Sequence, residues 1–329
     1  MRKGANGLNG TRILVVSGGV FSILLIALIT VAFVAPLRFA ALRIVLPLRE
    51  KLTVHALRGG AYWVSGGISN TGFIIGDDGV IAIDSQMFIK TARKQLTEIA
   101  KLTPKPVNVM ILTHDDPDHI NGLPAYPHGM QIIAHENAVR RMRQFINDPY
   151  LNGFPADPRM KDYLPSSTVQ GTVTRVLNGV TVQLIHAGPA HTDDDIVVYL
   201  PAQRIVYAGD LLTPAASLYP GVHLKKNGSS LGFFAFMRTI LALDADLYVS
   251  GHGDLLSKAE LVKRLAAAED RRAQIKQLFD QGRTLKEAKA TLHDEPLTGN
   301  AARFPTFVET TYLELNAERS SNHGKPAAR

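Results

Sequence analysis

The chain has 329 residues, of which 46% are hydrophobic and none is cysteine. It can therefore bury a sizeable core, while disulfides, cysteine metal ligands and a thiol nucleophile are excluded. The net charge of +7 comes from the two ends, because residues 52–318 hold 26 basic and 28 acidic side chains, so we expect no nucleic-acid groove on the folded body.

The first predicted element is an apolar segment near the N-terminus. Residues 13–36 contain no charged side chain, and as a helix at about 1.5 Å per residue they would cross a bilayer core of about 30 Å. Phe33 stands where a cleavage site would need a small residue, which favours an uncleaved anchor over a signal peptide. We expect residues 1–37 to form a cytoplasmic tail and a single transmembrane anchor, with the lipid bilayer as a partner.

The orientation of this anchor is not decided by charge. Three basic residues precede the apolar segment and four follow it closely, so the positive-inside rule favours neither side. By analogy with signal anchors, we expect the body to lie outside the cytoplasm, in the periplasm. Residues 38–54 are predicted to be a juxtamembrane linker, and the alternative for residues 37–48 is a short amphipathic helix along the membrane interface.

Beyond the linker, short apolar runs broken by Gly, Asn and Asp predict an antiparallel meander. Its strands are expected at residues 61–65, 71–75 and 80–84. Residues 91–102 have apolar positions at helical spacing, and Pro104 and Pro106 end this helix before a buried strand at residues 107–112. A strand, helix, strand order therefore begins here.

The second half repeats the alternation and then becomes helical. Strands are predicted at residues 173–177, 181–186, 196–200, 205–208 and 247–250, with a helix at residues 231–241. The pattern predicts two sheets with helices packed outside. Residues 257–318 are expected to be a helical extension, since Ser257 with Glu260 and Thr284 with Glu287 fit the capping box. A polar tail is predicted at residues 319–329.

Ionisable side chains cluster in the segment that follows strand 107–112. They are His114, Asp115, Asp116, Asp118 and His119. Loops at strand ends are where sites are built, and three further strand ends place an imidazole or carboxylate beside glycine, at residues 188–192, 209–210 and 251–253. Each such residue alone is more simply a surface or turn residue, and residues 193–195 read as a solvated acidic loop. The order of all four segments together argues against these simpler interpretations.

This order resembles the metallo-β-lactamase superfamily over roughly residues 55–256. The hallmark of that superfamily is His-x-His-x-Asp-His, followed by separate His, Asp and His ligands at strand ends. The resemblance implies that residues 55–256 form a catalytic domain with an αββα sandwich, in which two packed mixed β-sheets carry helices on their outer faces. It also implies a centre with two metal ions.

The resemblance assigns a role to each matching position. It implies His114 and His191 as ligands of the first metal, Asp118, His119 and His252 as ligands of the second, and Asp210 as a bridge between them. Asp84 matches an acidic residue that lies beneath the site and orients a ligand.

One position departs from the hallmark, because Asp116 stands where the superfamily has its second histidine. If Asp116 binds the first metal, it makes that site harder and shifts it from zinc toward manganese or iron. If it cannot reach, the first site is weakened and one firmly held metal remains. Direct ligation is the prediction that we carry forward.

Other polar residues near these segments have simpler interpretations. We read His135, Glu136 and the remaining histidines, including His186 and His223, as surface residues or as supports of a ligand. The basic residues of the segment 213–230, which include Lys225 and Lys226, either receive an anionic substrate or lie on a solvated loop.

The resemblance implies a metal-dependent hydrolase with two Zn²⁺ ions, with Mn²⁺ or Fe²⁺ as an alternative at the first site. Metal-bound hydroxide, oriented by Asp118, would attack a small-molecule ester, thioester, lactone, amide or phosphoester. A β-lactam is among the substrates but is not favoured. Two alternatives stay open: a mononuclear iron oxygenase of the persulfide dioxygenase type, against which Asp116 counts, and a metal-binding accessory module of a membrane complex.

Overall fold

The computed structural model describes residues 35–147, 154–212, 218–297 and 305–323. The chain divides into two units between Glu50 and Lys51. The first unit contains helix α1 (Ala35–Arg49), so the helical interpretation of residues 37–48 is confirmed. Within the described ranges, no helix is both long and apolar enough to cross a membrane. Residues 13–34 of the predicted anchor lie outside these ranges, and the anchor stays a prediction.

The first sheet of the second unit has seven strands, and their spatial order is their chain order. They are β1 (Thr53–Ala56), β2 (Ala61–Ser65), β3 (Thr71–Ile75), β4 (Val80–Ile83), β5 (Val107–Ile111), β6 (Gln131–His135) and β7 (Ser167–Val169). Strands β1 to β4 are antiparallel, whereas β4 to β7 run parallel. The carboxyl ends of β4, β5 and β6 therefore meet at one edge of the sheet.

Helices connect the parallel strands of this sheet. Helix α2 (Ile89–Leu102) leads from β4 to β5, the short α3 (Pro117–Ile120) follows β5, and α4 (Glu136–Asn147) begins directly at the end of β6. Because parallel strands need a crossover between them, this part of the chain must alternate strand and helix.

The second sheet has five strands in the order β12-β11-β10-β9-β8. They are β8 (Thr172–Leu177), β9 (Val180–Ile185), β10 (Val197–Leu200), β11 (Ile205–Tyr207) and β12 (Leu247–Val249). Only β11 and β12 are parallel to each other, and helix α5 (Ser230–Leu241) connects them. Both sheets are therefore mixed, as predicted, and each predicted strand is present to within one residue at either end.

After residue 257, the described residues form three helices, α6 (Lys258–Asp280), α7 (Leu285–Thr291) and α8 (Phe307–His323). The Oγ of Ser257 accepts a hydrogen bond from the N–H of Glu260 at the start of α6. At α7, Thr284 and Glu287 form both hydrogen bonds of the capping box. Helix α8 was not resolved as a separate element in the sequence, and it continues past residue 318, where the polar tail was expected to begin.

Alternating side chains explain how the layers pack. In β4, Ile81 and Ile83 join a cluster that also contains Val182, Leu184 and Val198 of the second sheet. The intervening residues of β4 point to the other face and pack in the cluster under α2 and α4, because successive strand side chains face opposite sides. A third cluster joins the outer face of the second sheet to α5, α6 and α8. The layers are therefore helix, sheet, sheet, helix.

Candidate metal centre

The predicted site residues lie where strands of both sheets end. Asp84 directly follows β4, and His114 comes three residues after the end of β5. Asp210 follows β11, and His252 comes three residues after β12. Because these strand ends converge, side chains that are far apart in the sequence face one another, and His191 reaches them from the connection between β9 and β10.

The seven predicted metal-binding side chains form two groups, and within each group the donor atoms lie within 4.8 Å of one another. The first group is His114, Asp116, His191 and Asp210, and the second is Asp118, His119 and His252. Asp210 also faces the second group, with Oδ1 3.3 Å from Nε2 of His119 and Oδ2 3.3 Å from Nε2 of His252. The grouping is the one that the hallmark predicts, and Asp116 belongs to it.

The four imidazoles share one arrangement. Each ring places Nδ1 against a polar atom of the surrounding structure, which leaves Nε2 facing the carboxylates of the centre. The Nδ1 partners are Thr113 Oγ1 for His114 at 3.1 Å, Asp84 Oδ2 for His119 at 2.8 Å, the Gly221 carbonyl for His191 at 3.0 Å and the Ile68 carbonyl for His252 at 2.9 Å. Such contacts fix the ring orientation of histidines that bind metals.

The donor set fits divalent metal ions. Nε2 of His114, Nε2 of His119 and Oδ1 of Asp210 are buried and have no hydrogen-bond partner among the described residues. Buried polar atoms are almost always paired, so three such atoms converging on one place indicate a missing partner. Imidazole and carboxylate donors without sulfur suit zinc and other first-row divalent ions. The cluster is therefore capable of binding metal.

Asp84 lies beneath this cluster, as expected. Its backbone has a φ of 58°, in the left-handed region that non-glycine residues rarely adopt. One carboxylate oxygen accepts the backbone N–H of Thr113, and the other accepts the hydroxyl of Thr113 and faces Nδ1 of His119. Asp84 therefore ties the start of the ligand loop to the orientation of His119.

The comparison with known proteins agrees with this geometry. A family model for the metallo-beta-lactamase superfamily matches residues 64–252, which is more than half of the chain. The chain belongs to the metallo-beta-lactamase superfamily. Members of this superfamily are mostly metal-dependent hydrolases.

Curated relatives carry several activities in their names. The alpha subunit of 2,4-dinitroanisole O-demethylase from Nocardioides sp. strain JS1661 is 28% identical over 80% of this chain and 78% of its own length. A linear primary-alkylsulfatase from a Pseudomonas strain is 24% identical over 57% of this chain, and the match spans 42% of that protein. A type 2 metallo-beta-lactamase from Bacillus cereus is 25% identical over 52% of this chain and 60% of its own.

Solved structures share the fold. A metallo-beta-lactamase from Pontibacter korlensis superposes with a TM-score of 0.56 over 67% of this chain and 99% of its own, at 19% identity. A double mutant of the sec-alkyl sulfatase PisA1 reaches a TM-score of 0.61 over 88% of this chain and 53% of its own, at 16% identity. At these identities the likeness concerns the fold alone.

In this superfamily member, the departure at Asp116 is accompanied by a buried lysine. Nζ of Lys226 lies 2.5 Å from Oδ1 of Asp116 and 2.7 Å from Oδ1 of Asp115. The other oxygen of Asp116 faces the first group, at 3.3 Å from Nε2 of His191. Lys226 is only 6% exposed, so its interpretation as part of a solvated loop was wrong, while contact with an anionic substrate stays a prediction. Lys225 is exposed.

His223 also lies beside Asp116, with its Nδ1 3.7 Å from Oδ1 of the carboxylate. The sequence interpretation left His223 open between a surface residue and a support of a ligand, and it did not pair Lys226 with Asp116. Both residues reach the centre from a separate segment, at a sequence distance of about a hundred residues from Asp116, and no local pattern in the sequence signals that contact.

The acidic run 193–195 is not the solvated loop that the sequence indicated. All three carboxylates are buried: Asp193 and Asp194 pair with Arg141 of α4, and Asp195 accepts the N–H and the hydroxyl of Thr192. The Arg141 guanidinium contacts Asp193, Asp194 and also Asp115 of the ligand loop. This network joins the two loops that carry His114 and His191.

His135 is likewise buried rather than on the surface. Its ring lies 4.0 Å from that of His186, and its Nδ1 accepts the backbone N–H of Asn137. Burial and the neighbouring His186 lower the pKa of His135 to about 4, so the ring is neutral at physiological pH.

Ion pairing inside the centre shifts its pKa values. Burial disfavours charge on His119, but the carboxylates of Asp118 and Asp210 outweigh it and raise the pKa of His119 well above its ordinary value. Burial likewise opposes charge on the other two rings, but Asp116 and Asp210 raise the pKa of His191 to about 10, and Asp210 and Asp118 raise that of His252 to about 10. Without metal, His119, His191 and His252 therefore keep protons at physiological pH.

Proposed function

We propose that this protein is a hydrolase that holds two divalent metal ions, zinc being favoured, and that it adds water to a small-molecule ester, thioester, lactone, amide or phosphoester. The observation that carries the proposal is the pair of donor groups with Asp210 facing both. One group of donors would serve a single ion, whereas two adjacent groups favour two ions. This separation distinguishes the proposal from a mononuclear iron oxygenase.

The bound ions would polarise a substrate oxygen and lower the pKa of water enough to make it a nucleophile at neutral pH. The exposure of the side chains indicates the side from which substrate approaches. The side chains of Asp118 and His252 are 15% and 23% exposed, whereas those of His114 and His119 are at most 1% exposed. Substrate and water therefore reach the centre from the side of Asp118 and His252.

Asp118 is the catalytic residue in this proposal. Burial raises its pKa, but the imidazoles of His119 and His252 outweigh this effect, and the net pKa is lowered. Asp118 is therefore a carboxylate at neutral pH, able to orient the attacking water and to accept its proton. The hydroxyl of Ser69 donates to the carbonyl of Asp118 at 2.5 Å and holds the backbone at this point.

The proposal covers several classes of substrate. The names of the relatives include an O-demethylase of an aryl methyl ether, a sulfatase of linear primary alkyl sulfates and β-lactamases. These bonds differ, but each can be cleaved by addition of water at a centre whose oxygen a metal ion polarises. An aryl methyl ether and an alkyl sulfate therefore belong in the substrate panel beside the carbonyl and phosphoryl compounds.

The proposal is tested by metal analysis and a substrate panel on protein of defined metal content. We expect about two zinc ions per chain, turnover of at least one substrate, loss of activity on chelation and recovery with zinc. His252→Ala should lose one ion, while the exposed control His128→Ala should keep both. Activity that survives exhaustive chelation would refute the proposal. One iron per chain with oxygen uptake would favour the oxygenase. Metal binding without turnover of any substrate would favour the accessory module.

We also propose that residues 13–36 anchor the protein in a membrane with the body in the periplasm. The support is the uncharged length of this segment and the basic residues at its ends. Protease treatment of spheroplasts should digest the body. A body that stays intact until the cells are lysed would contradict this orientation.

A further inference from the structure

We propose that Lys226 makes Asp116 a monodentate ligand, which binds the first metal through one oxygen. The first site then keeps the low coordination number that suits zinc, although it lacks the second histidine of the superfamily pattern. The inference rests on the proposed two-metal function and extends it, because it assigns Lys226 a positioning role toward the first metal.

The geometry divides the two oxygens of Asp116. Oδ1 lies 2.5 Å from Nζ of Lys226, while Oδ2 lies 3.3 Å from Nε2 of His191 and 3.6 Å from Nε2 of His114. A carboxylate can bind a metal through one oxygen or through both. Here Oδ1 is held by the ammonium group of Lys226, and only Oδ2 is directed at the first group. Asp116 therefore offers one donor atom to the metal, as a histidine at this position would.

Lys226 is held beside Asp116 in a buried position. The residue lies in a short 3-10 helix, Leu224–Lys226, whose last N–H donates to the carbonyl of His223. Its own carbonyl accepts the N–H of Asp193 at 2.9 Å. The ammonium group contacts Asp115 and Asp116 in a buried position and lies 5.7 Å from the centre of the Phe145 ring.

Lys226 is the lysine in contact with Oδ1 of Asp116, and Nδ1 of His223 lies 3.7 Å from the same oxygen. Asp115, the other carboxylate that it contacts, also has Nε of Arg141 at 2.8 Å from its second oxygen. Two carboxylates, Asp116 and Asp210, face the first metal position together with two imidazoles. Lys226 offsets one of these negative charges, and an Asp–Lys pair carries no net charge, like a neutral histidine.

This arrangement predicts a specific effect on metal preference. Removal of the ammonium group frees Oδ1, so that Asp116 can bind through both oxygens and raise the coordination number with a harder ligand. Hard oxygen ligands and higher coordination favour manganese over zinc. Loss of the lysine charge also strengthens the attraction of every divalent ion, but this effect cancels in the ratio of the zinc and manganese affinities. The ratio therefore isolates the role of Lys226.

The test compares Lys226→Met with Lys225→Met, its exposed neighbour, in metal competition at the first site, defined as the site whose ion is lost in His191→Ala. We expect Lys226→Met to move the zinc-to-manganese affinity ratio toward manganese by about tenfold or more, and Lys225→Met to leave it unchanged. Cobalt in the first site should absorb more strongly in the wild type than in Lys226→Met, because the absorption of cobalt weakens as its coordination number rises. Lys226→Arg, which can still hold Oδ1, should restore the wild-type ratio and spectrum.

A second comparison separates this role from general support of the fold. In an Asp116→His background there is no second oxygen to restrain, so Lys226→Met should no longer change the ratio. If the single variant Lys226→Met does not fold, the test uses Lys226→Met in the Asp116→His background and the single variant Lys226→Gln. Two ions in the wild type with an unchanged ratio and spectrum in the folded Lys226 variants would overturn this inference alone. No ion in the first group of the wild type would overturn the two-metal function as well.

Discussion

Oδ2 of Asp84 lies 2.8 Å from Nδ1 of His119, and the same carboxylate accepts two hydrogen bonds from Thr113. Asp84 thus holds the first residue of the ligand loop and one of its last residues at a fixed separation. The contact also directs Nε2 of His119 into the centre. The positive φ of Asp84 places its carboxylate in this position.

Asp84→Asn should therefore weaken the second metal group. Asparagine tolerates the left-handed backbone, but it replaces one of the two acceptor oxygens by an NH2 donor, which then opposes either the N–H of Thr113 or the contacts of Oδ2 with Thr113 and His119. We expect the second site to bind zinc about 10-fold to 100-fold more weakly, measured by competition with a chromophoric chelator. The exposed Asp78→Asn should bind zinc like the wild type. Unchanged affinity in Asp84→Asn would show that His119 does not depend on this contact.

The parts of the centre that the sequence predicts are those set by local pattern. Asp84 and His114 each follow a strand that reads as an apolar run, and parallel strands bring these ends to one edge. The spacing of Asp118 and His119 fits one short loop. Periodicity and turn residues therefore predict where these residues lie in the fold, while their roles follow from the resemblance to the superfamily.

Other parts depend on packing and leave no local signal. Lys226 meets Asp116 across 110 residues and Arg141 meets Asp194 across 53. In the sequence, Arg141 is one of several basic residues of an amphipathic helix. Strand β6 has five residues and passes into α4 without turn residues between them, so the break that usually separates a strand from a helix is absent.

Arg141→Met should strongly destabilise the fold. The guanidinium is the shared partner of Asp115, Asp193 and Asp194, all buried. Removal of one partner from a buried ionic network costs about 3–5 kcal/mol, because uncompensated charge stays in the core. Arg140→Met is the matched control, since the Arg140 side chain is 57% exposed and lies 3.9 Å from Asp193. Urea unfolding should show a large decrease in the free energy of unfolding for Arg141→Met and little change for Arg140→Met. Equal decreases in the two variants would contradict the role of the network.

The metal-free protein should lose stability as pH rises above neutrality. The pKa values of His191 and His252 in the folded state are about 10, against 6.5 for an ordinary histidine. Below about pH 6.5 both rings are charged in both states and their ion pairs stabilise the fold in full. Between about pH 6.5 and 10 the unfolded chain releases protons that the folded chain keeps, so the free energy of unfolding falls.

This pH dependence is measured by urea unfolding of the metal-free protein at pH 6.5 and pH 9. His252→Ala should make the fall smaller, since one of the charged imidazoles is gone. Zinc binding near pH 7.5 should release more than one proton per chain, because a metal ligand must be a neutral imidazole. Calorimetry in buffers of different ionisation enthalpy counts these protons. A stability that does not fall with pH, or binding without proton release, would contradict the raised pKa values.

Gly251→Ala should disturb both metal groups through one carboxylate. A Cβ at Gly251 would lie 2.0 Å from Oδ1 of Asp210 and 2.7 Å from the carbonyl carbon of Gly209. The backbone cannot easily retreat, because the N–H of Gly251 donates to the carbonyl of Gly209 at 2.7 Å. Asp210 must therefore move, and since it faces both groups, we expect both zinc ions to bind at least about tenfold more weakly.

Gly171→Ala separates this effect from loss of stability. Gly171 has a φ of 65°, so alanine is strained there, but the added Cβ meets no atom within 4 Å. This control should lower the melting temperature and leave zinc affinity unchanged, whereas Gly251→Ala should lower both. Equal zinc affinity in the two variants would mean that Asp210 can move without weakening zinc binding at either group. Binding of the two ions would then not depend on the position of Asp210.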